Sequence, residues 1–395
     1  MARVVAQAAF TISGTLAQGI ARIAIPILVG NFTNSSTLAT VSVVLSVSVL
    51  LSMVWPTPAG TAASRYGVDA GAASVSALRT LRFSTILALG VVAIAGGLVI
   101  GIQTASVQLG FLAALVTAAY SAYFFTRGVF LGRFRARSLA IWEVTGALIA
   151  VAGTVASLTA GFWPGALVSL AVGYGFIAIA GWPWQLGART PLDRSVLSFT
   201  AHNAVANAAS NGMVQLAMVI VFAATVSTEA GLFAAAFSLA TPASLFGQTI
   251  NQVLIPHLAE QAKTERPDGR RLALQALGLA GITFVPFAVV FALSGWILGV
   301  LYPDYVAATE LLHLLVVAMF LFTIALYPAA ALTAWGNARE LVAANATALV
   351  VGVVAMIAIG IPLGAPGVAM GLVVGTALLA VLTAFAAGRA LATRS

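Results

Sequence analysis

Residues 4–30, VVAQAAFTISGTLAQGIARIAIPILVG, make an apolar run long enough to cross a bilayer, with a polar stripe hidden inside it. Gln7, Thr11, Thr15, Gln18 and Arg22 recur at spacings of three and four, which stacks them on one face of an α-helix. A guanidinium in the middle of a membrane costs about 2.5–3.5 kcal/mol on insertion scales, so Arg22 is expected to face a wet interior rather than lipid. The run reads as the cavity-lining helix of a membrane transporter.

The rest of the chain agrees with that reading. Its 395 residues are 61 % hydrophobic and 7 % charged, with a mean hydropathy of +1.06. A hydrocarbon slab of about 30 Å takes about 20 apolar residues per helix. Segments of that kind fall at 4–30, 38–56, 80–101, 107–130, 139–159, 164–184, 197–224, 229–255, 272–300, 306–334, 340–361 and 366–387. The expected fold is an all-α integral membrane protein of twelve transmembrane helices, with no room for a soluble domain. The first run is too long for a signal peptide and lacks a cleavage pattern, so it is expected to remain as a transmembrane helix. There is no Cys, which removes disulfides and thiolate chemistry.

The formal charge of +8 does not imply nucleic acid, because in a membrane chain the distribution among loops decides. Arg3, the Arg65/Arg79/Arg82 group, Arg127/Arg133/Arg135/Arg137, Arg189/Arg194, Lys263 to Arg271, Arg339 and Arg389/Arg394 fall at the N-terminus, the even loops and the C-terminus. The odd loops carry no Lys or Arg. By the positive-inside rule both termini are expected to be cytoplasmic, and Arg22 is then the sole cation away from that side.

The chain also reads as two copies of a six-helix unit, 1–190 and 191–395. Phe10-Thr11 recurs as Phe199-Thr200, Gly132-Arg133-Phe134-Arg135 as Gly336-Asn337-Ala338-Arg339, and Trp163-Pro164-Gly165-Ala166 as Ala365-Pro366-Gly367-Val368, in a common order. An even number of helices per copy gives both the same orientation, related by a pseudo-twofold axis along the membrane normal. The same register pairs Gln18 with Asn207 and Arg22 with Asn211. Asn203, Asn207, Asn211 and Gln215 form a second stripe spaced by four, and Thr241, Ser244, Gln248, Asn251 and Gln252 a third. Such amides either glue helices together or line a cavity.

Candidate binding residues are therefore Arg22, Gln18, Thr15, Asn207, Asn211, Gln215, Gln248 and Asn251, with Arg65 as either a cytoplasmic anchor or a contact at the inner mouth. An unpaired Arg in the membrane has a planar fork suited to phosphate oxygens. Glu143, near the cytoplasmic start of its helix, is either a coupling site or the partner of Arg133, Arg135 and Arg137 in an interfacial salt bridge. His202 and His313 are candidate proton carriers or packing residues. No Walker loop, His-Glu-x-x-His pair or paired intramembrane carboxylate is present, so the chain is not expected to be an enzyme, to hold a metal or to need a cofactor.

These features together, with Leu301-Tyr302-Pro303-Asp304-Tyr305-Val306-Ala307-Ala308 before the tenth segment, resemble the multidrug/oligosaccharidyl-lipid/polysaccharide exporter superfamily, and within it the polysaccharide flippases. The resemblance implies a V-shaped pair of lobes that open a central cavity to each side in turn. It also implies a lipid-linked oligosaccharide as substrate, with arginines holding its pyrophosphate, and a plasma or inner membrane location. A monomer is expected, with a polysaccharide polymerase as a possible partner and H+ or Na+ as a possible coupling ion. The alternatives are a cation-coupled multidrug or small-solute antiporter of the same architecture and a lipid-binding scaffold for glycan polymerases. The Gly-x-x-x-Asp-Arg loop of the major facilitators is missing: Gly60 to Arg65 carries no Asp.

Overall fold

The structure is a computed structural model, and it describes residues 2–67, 72–184, 193–241, 269–335 and 337–392. Those residues are helical apart from short turns. The order is α1 (Ala2–Phe32), α2 (Ser35–Ser52), α3 (Pro56–Tyr66), α4 (Ala72–Thr104), α5 (Val107–Gly132), α6 (Ala136–Thr159), α7 (Pro164–Gly181), α8 (Arg194–Ala224), α9 (227–241), α10 (Gly269–Ala292), α11 (Ser294–Leu301), a 3-10 turn (Pro303–Ala308), α12 (Thr309–Ala334) and α13 (Ala338–Ala392). The chain forms two compact units, Met1–Ala208 and Ala209–Ser395, and α8 passes from one into the other.

Nine helices among the described residues are long and apolar enough to cross a membrane, or ten if the two parts of α8 count as one span. The difference from the expected twelve has two local sources. Most of segment 229–255 lies outside the described residues, and segments 340–361 and 366–387 run on as α13, broken only at Gly364. Gly364 has φ +65°, and Gly161, before α7, has φ +72°. Both have a positive φ, which suits Gly, and each stands just ahead of a Pro-Gly pair.

The apolar surface is turned inside out relative to a soluble protein. Ile102, Val107, Ile361 and many other large aliphatic side chains project outward, where only hydrocarbon can cover them without cost. α4 presents most of its surface this way, whereas α2 is mostly buried. α2 is apolar all round, which suits a helix enclosed on every side. Asn34 caps it by accepting from Thr37 N at 2.9 Å.

The second expected span is divided differently. α2 ends at Ser52, and Pro56 opens α3 at its first position, where a missing N–H costs nothing. α3 crosses α5 at Gly60 and Gly128, where a Cβ on Gly128 would collide with the Gly60 carbonyl and one on Gly60 with the Phe124 carbonyl. Close backbone approach through small residues is the usual adhesive between helices in lipid. The connection from α7 to α8 is held on α4: Arg82 Nη1 donates to Pro183 O (3.0 Å) and Trp184 O (3.1 Å), and Asp193 N donates to Thr80 Oγ1 (2.9 Å). The Ser195 hydroxyl, 2.7 Å from Asp193 Oδ1, holds that carboxyl below its ordinary range. Its stabilising effect is therefore present above about pH 4 and lost as pH falls through the lowered value.

The α3–α5 crossing yields a test. Gly128→Val should cost about 1–3 kcal/mol through forced separation of the helices. A fall in melting temperature and in monodisperse yield from detergent is expected, while Gly90→Val, whose Cβ meets nothing within 4 Å, should leave both unchanged.

Candidate functional site

Two helices of the first unit carry polar stripes of matching period. On α1, Thr15, Gln18 and Arg22 stand at i, i+3 and i+7; on α5, Tyr120, Tyr123 and Arg127 do the same. α1 packs along α6 and α5 packs along α7, so the stripes address each other across the interior of the unit rather than through touching backbones. Their contacts run in opposite order, as in antiparallel helices. Arg22 Nη1 donates to Tyr120 Oη at 3.3 Å, and one turn from the other end Arg127 Nη2 donates to Thr15 Oγ1 at 2.6 Å. The Thr15 hydroxyl in turn donates to Thr11 O at 2.8 Å.

Glu143 of α6 closes the arrangement. Its carboxylate is fully buried and its Oε1 lies 3.2 Å from Arg127 Nε. The same oxygen accepts from Tyr123 Oη at 2.6 Å, and the Glu143 carbonyl accepts from Gln18 Nε2 at 2.6 Å. Oε2 has no hydrogen-bond partner and lies against the Cα of Gly14, where a Cβ would strike it. Gly14 is thus the residue that lets the carboxylate fit against α1. Tyr120, Tyr123 and Tyr174 pack as a buried aromatic group, with ring centroids 5.0 Å apart for Tyr120 and Tyr174 and 5.4 Å for Tyr123 and Tyr174.

These placements correct two expectations. Arg127 is not a cytoplasmic loop residue: it lies within α5 with its side chain 15 % exposed, so Arg22 is not the sole interior cation. The partner of Glu143 is Arg127 and not the group Arg133, Arg135 and Arg137, because the α6 face that carries Glu143 turns inward against α1. Tyr120, Tyr123, Tyr174 and Gly14 were not read from the sequence as site residues. The i, i+3, i+7 spacing of Tyr120, Tyr123 and Arg127, identical to that on α1, was the available signal.

The charge count is informative. Two guanidiniums and one carboxylate leave a net positive charge in the interior of the unit. Arg22 makes one long hydrogen bond to a neutral hydroxyl and lies 5.7 Å from the centroid of the Tyr120 ring, and no described carboxylate pairs with it. Pro26, four residues on, has no N–H to give the Arg22 carbonyl, which loosens the helix at that point. Both arginines retain solvent-accessible surface, whereas Glu143 has none.

The other candidates lie apart from this group. Arg65 is exposed and sits 4.7 Å from the Phe199 ring centroid and 5.5 Å from that of Tyr66. His202 is exposed, with Nδ1 2.7 Å from Ser198 O. His313 stacks on Phe291 at 4.1 Å, and its Nε2 lies 2.6 Å from Ser294 Oγ. Asn207 is half-buried in the first unit; Asn211 is half-buried and Gln215 buried in the second. Gln248 and Asn251 lie outside the described residues.

Neither a family model nor a curated protein matches the sequence. Solved structures do match it in fold. A multidrug resistance MATE family transporter in an inward-facing conformation aligns over 97 % of this chain and 98 % of its own, at 14 % identity and a TM-score of 0.72. The lipid II flippase MurJ, inward closed, aligns over 95 % of this chain and 86 % of its own, at 15 % identity and a TM-score of 0.77. The chain has the fold of the multidrug/oligosaccharidyl-lipid/polysaccharide exporter superfamily. A transporter of that superfamily from Pyrococcus furiosus, described by the reverse polarity of its binding pocket, aligns over 99 % of this chain and 96 % of its own, at 15 % identity and a TM-score of 0.61. The exporter fold at this identity fixes architecture and leaves the cargo to the residues of the site.

The Arg127–Glu143 pair can be tested as a unit. Removing one partner alone, by Arg127→Met or Glu143→Leu, should cost about 3–5 kcal/mol because it strands a buried charge. The double variant should recover most of that loss in melting temperature, which an additive response would contradict.

Proposed function

We propose that the chain is a flippase that carries a polyprenyl-pyrophosphate-linked oligosaccharide from the cytoplasmic to the outer leaflet of the plasma or inner membrane by alternating access. The observation that carries this reading is the interior positive charge of the first unit: among the described residues no carboxylate pairs with Arg22, and Arg127 meets one, Glu143. An interior cation without a counter-ion is expensive in a membrane unless a ligand supplies the anion. Guanidinium forks offer pyrophosphate oxygens paired, charge-assisted hydrogen bonds. In this reading the polyprenyl tail stays in the bilayer, and the neutral amides Gln18, Asn207, Asn211 and Gln215 meet the sugars. Gln248, Asn251 and Arg65 remain candidates for the same path. The protein works as a monomer and hands its cargo to a polysaccharide polymerase.

The MATE likeness keeps the cation-coupled multidrug antiporter in view, since the aligned protein is described as a multidrug resistance transporter. A cation-coupled antiporter needs a carboxylate that its cationic cargo or coupling ion can reach. Glu143 is sealed from solvent and already engaged by Arg127 and Tyr123, which favours an anionic cargo.

Loss of a charge-assisted contact costs about 1.5–3 kcal/mol, so Arg22→Ala should weaken cargo binding about 10- to 100-fold. In a bacterial strain lacking its polysaccharide flippase, the wild-type chain should restore surface glycan and Arg22→Ala, at equal membrane abundance, should not. Full restoration by Arg22→Ala would refute the role, and raised drug resistance without glycan export would favour the antiporter.

A further inference from the structure

Glu143 has a feature that a permanent structural ion pair does not explain. A buried carboxylate that stays ionised is ordinarily surrounded by donors, because burial of an unpaired charge is the costliest event in a protein interior. Here Oε1 takes both stabilising contacts, from Tyr123 and Arg127, while Oε2 is buried without a donor and faces the Cα of Gly14. Even the Arg127 contact is poor: Nε is 3.2 Å from Oε1, yet it makes no hydrogen bond of good geometry. The better-directed bond of Arg127 is the one from Nη2 to Thr15. The pair is therefore held mainly by charge, and parting Arg127 from Glu143 breaks no well-directed bond between the two.

The two members also differ in access. Arg127 keeps some accessible surface and Glu143 has none. An anion arriving between Arg22 and Arg127 meets the guanidiniums first and competes with Glu143 for Arg127. A pyrophosphate carries more charge than a carboxylate and binds the fork through two oxygens, so it wins that competition. Glu143 is then left buried with Tyr123 as its one donor, a state in which a carboxylate neutralises rather than stay charged.

We infer that binding of a pyrophosphate between Arg22 and Arg127 draws one proton from solution onto Glu143, and that its departure releases that proton. This rests on the anion-site reading above and adds to it the residue that couples the cargo to a proton. The movement that takes Arg127 off Glu143 also uncovers the carboxyl, which gives the proton its way in. The groups that face Glu143 and its pair are Arg22 from α1, Tyr120, Tyr123 and Arg127 from α5, and Tyr174 from α7; the first and fourth are permanent cations and the others are phenols. Glu143 is the one carboxyl among them. The sign of the coupling follows: cargo and proton favour each other, so affinity rises as pH falls.

The experiment is proton uptake on binding of farnesyl pyrophosphate to the full chain in nanodiscs, in weakly buffered solution with a pH indicator at pH 7.5 and 8.5. The probe's own titration is common to all variants, so the difference between proteins reads Glu143. Wild type should take up about one proton more per bound probe than Glu143→Gln. Glu143→Gln should bind about tenfold more tightly at pH 8.5 and lose its dependence on pH, because its Arg127 is free from the outset. Arg127→Gln, which leaves Glu143 neutral before the probe arrives, should also lack the extra uptake and guards against misfolding of the first variant. Binding with equal proton uptake in wild type and both variants would overturn the coupling and leave the anion site standing. Absence of probe binding to wild type would overturn both.

Discussion

Charge in hydrocarbon is the constraint from which the first unit takes its form. A buried ion pair gains little or nothing over apolar packing, yet a buried ion without a partner is strongly destabilising. Arg127 and Glu143 therefore have to lie within reach of each other, and that requirement fixes α5 against α6 at one depth. It also accounts for Gly14: α1 can pack on α6 at the level of a carboxylate only where it presents no side chain. Gln18 then caps the arrangement by bonding the Glu143 carbonyl, so three helices are indexed to one another by polar contacts while their apolar surfaces remain interchangeable with lipid.

Much of this was legible in the sequence, and the part that was not has a physical reason. The stripe on α1 could be read because its period is that of a helix and its residues are rare in an apolar run. Arg127 escaped because the loop-charge rule counts cations near helix ends and is blind to the direction in which a side chain points. Five residues before the end of α5, Arg127 belongs by position to the loop group and by orientation to the interior. Tyr120, Tyr123 and Tyr174 escaped because Tyr is equally at home at a membrane boundary, and only the neighbouring helices show that these three are enclosed. The break between α2 and α3 was signalled by Pro56 and Pro58, although the sequence could not show that α3 would fold as a separate helix against α5.

The two units differ in the charge of what they bury. Among the described residues, the polar side chains inside the second unit are neutral: Gln215, the Tyr327 hydroxyl donating to Gln275 Oε1 at 3.0 Å, and Ser238 within 2.7 Å of the Tyr302 hydroxyl. Its described carboxylates lie near helix ends, as Glu229 does where it meets the Ala365 amide at 3.3 Å beside Gly364. The turn ahead of α7 and the break within α13 each pass through a glycine at positive φ, Gly161 and Gly364, while the buried polar chemistry of the two units differs. A turn answers to the backbone alone, whereas an interior position can change its charge wherever a neighbouring side chain compensates it. In the first unit the helices and turns satisfy the membrane, and a handful of residues on α1, α5 and α6 set the charge that the unit buries.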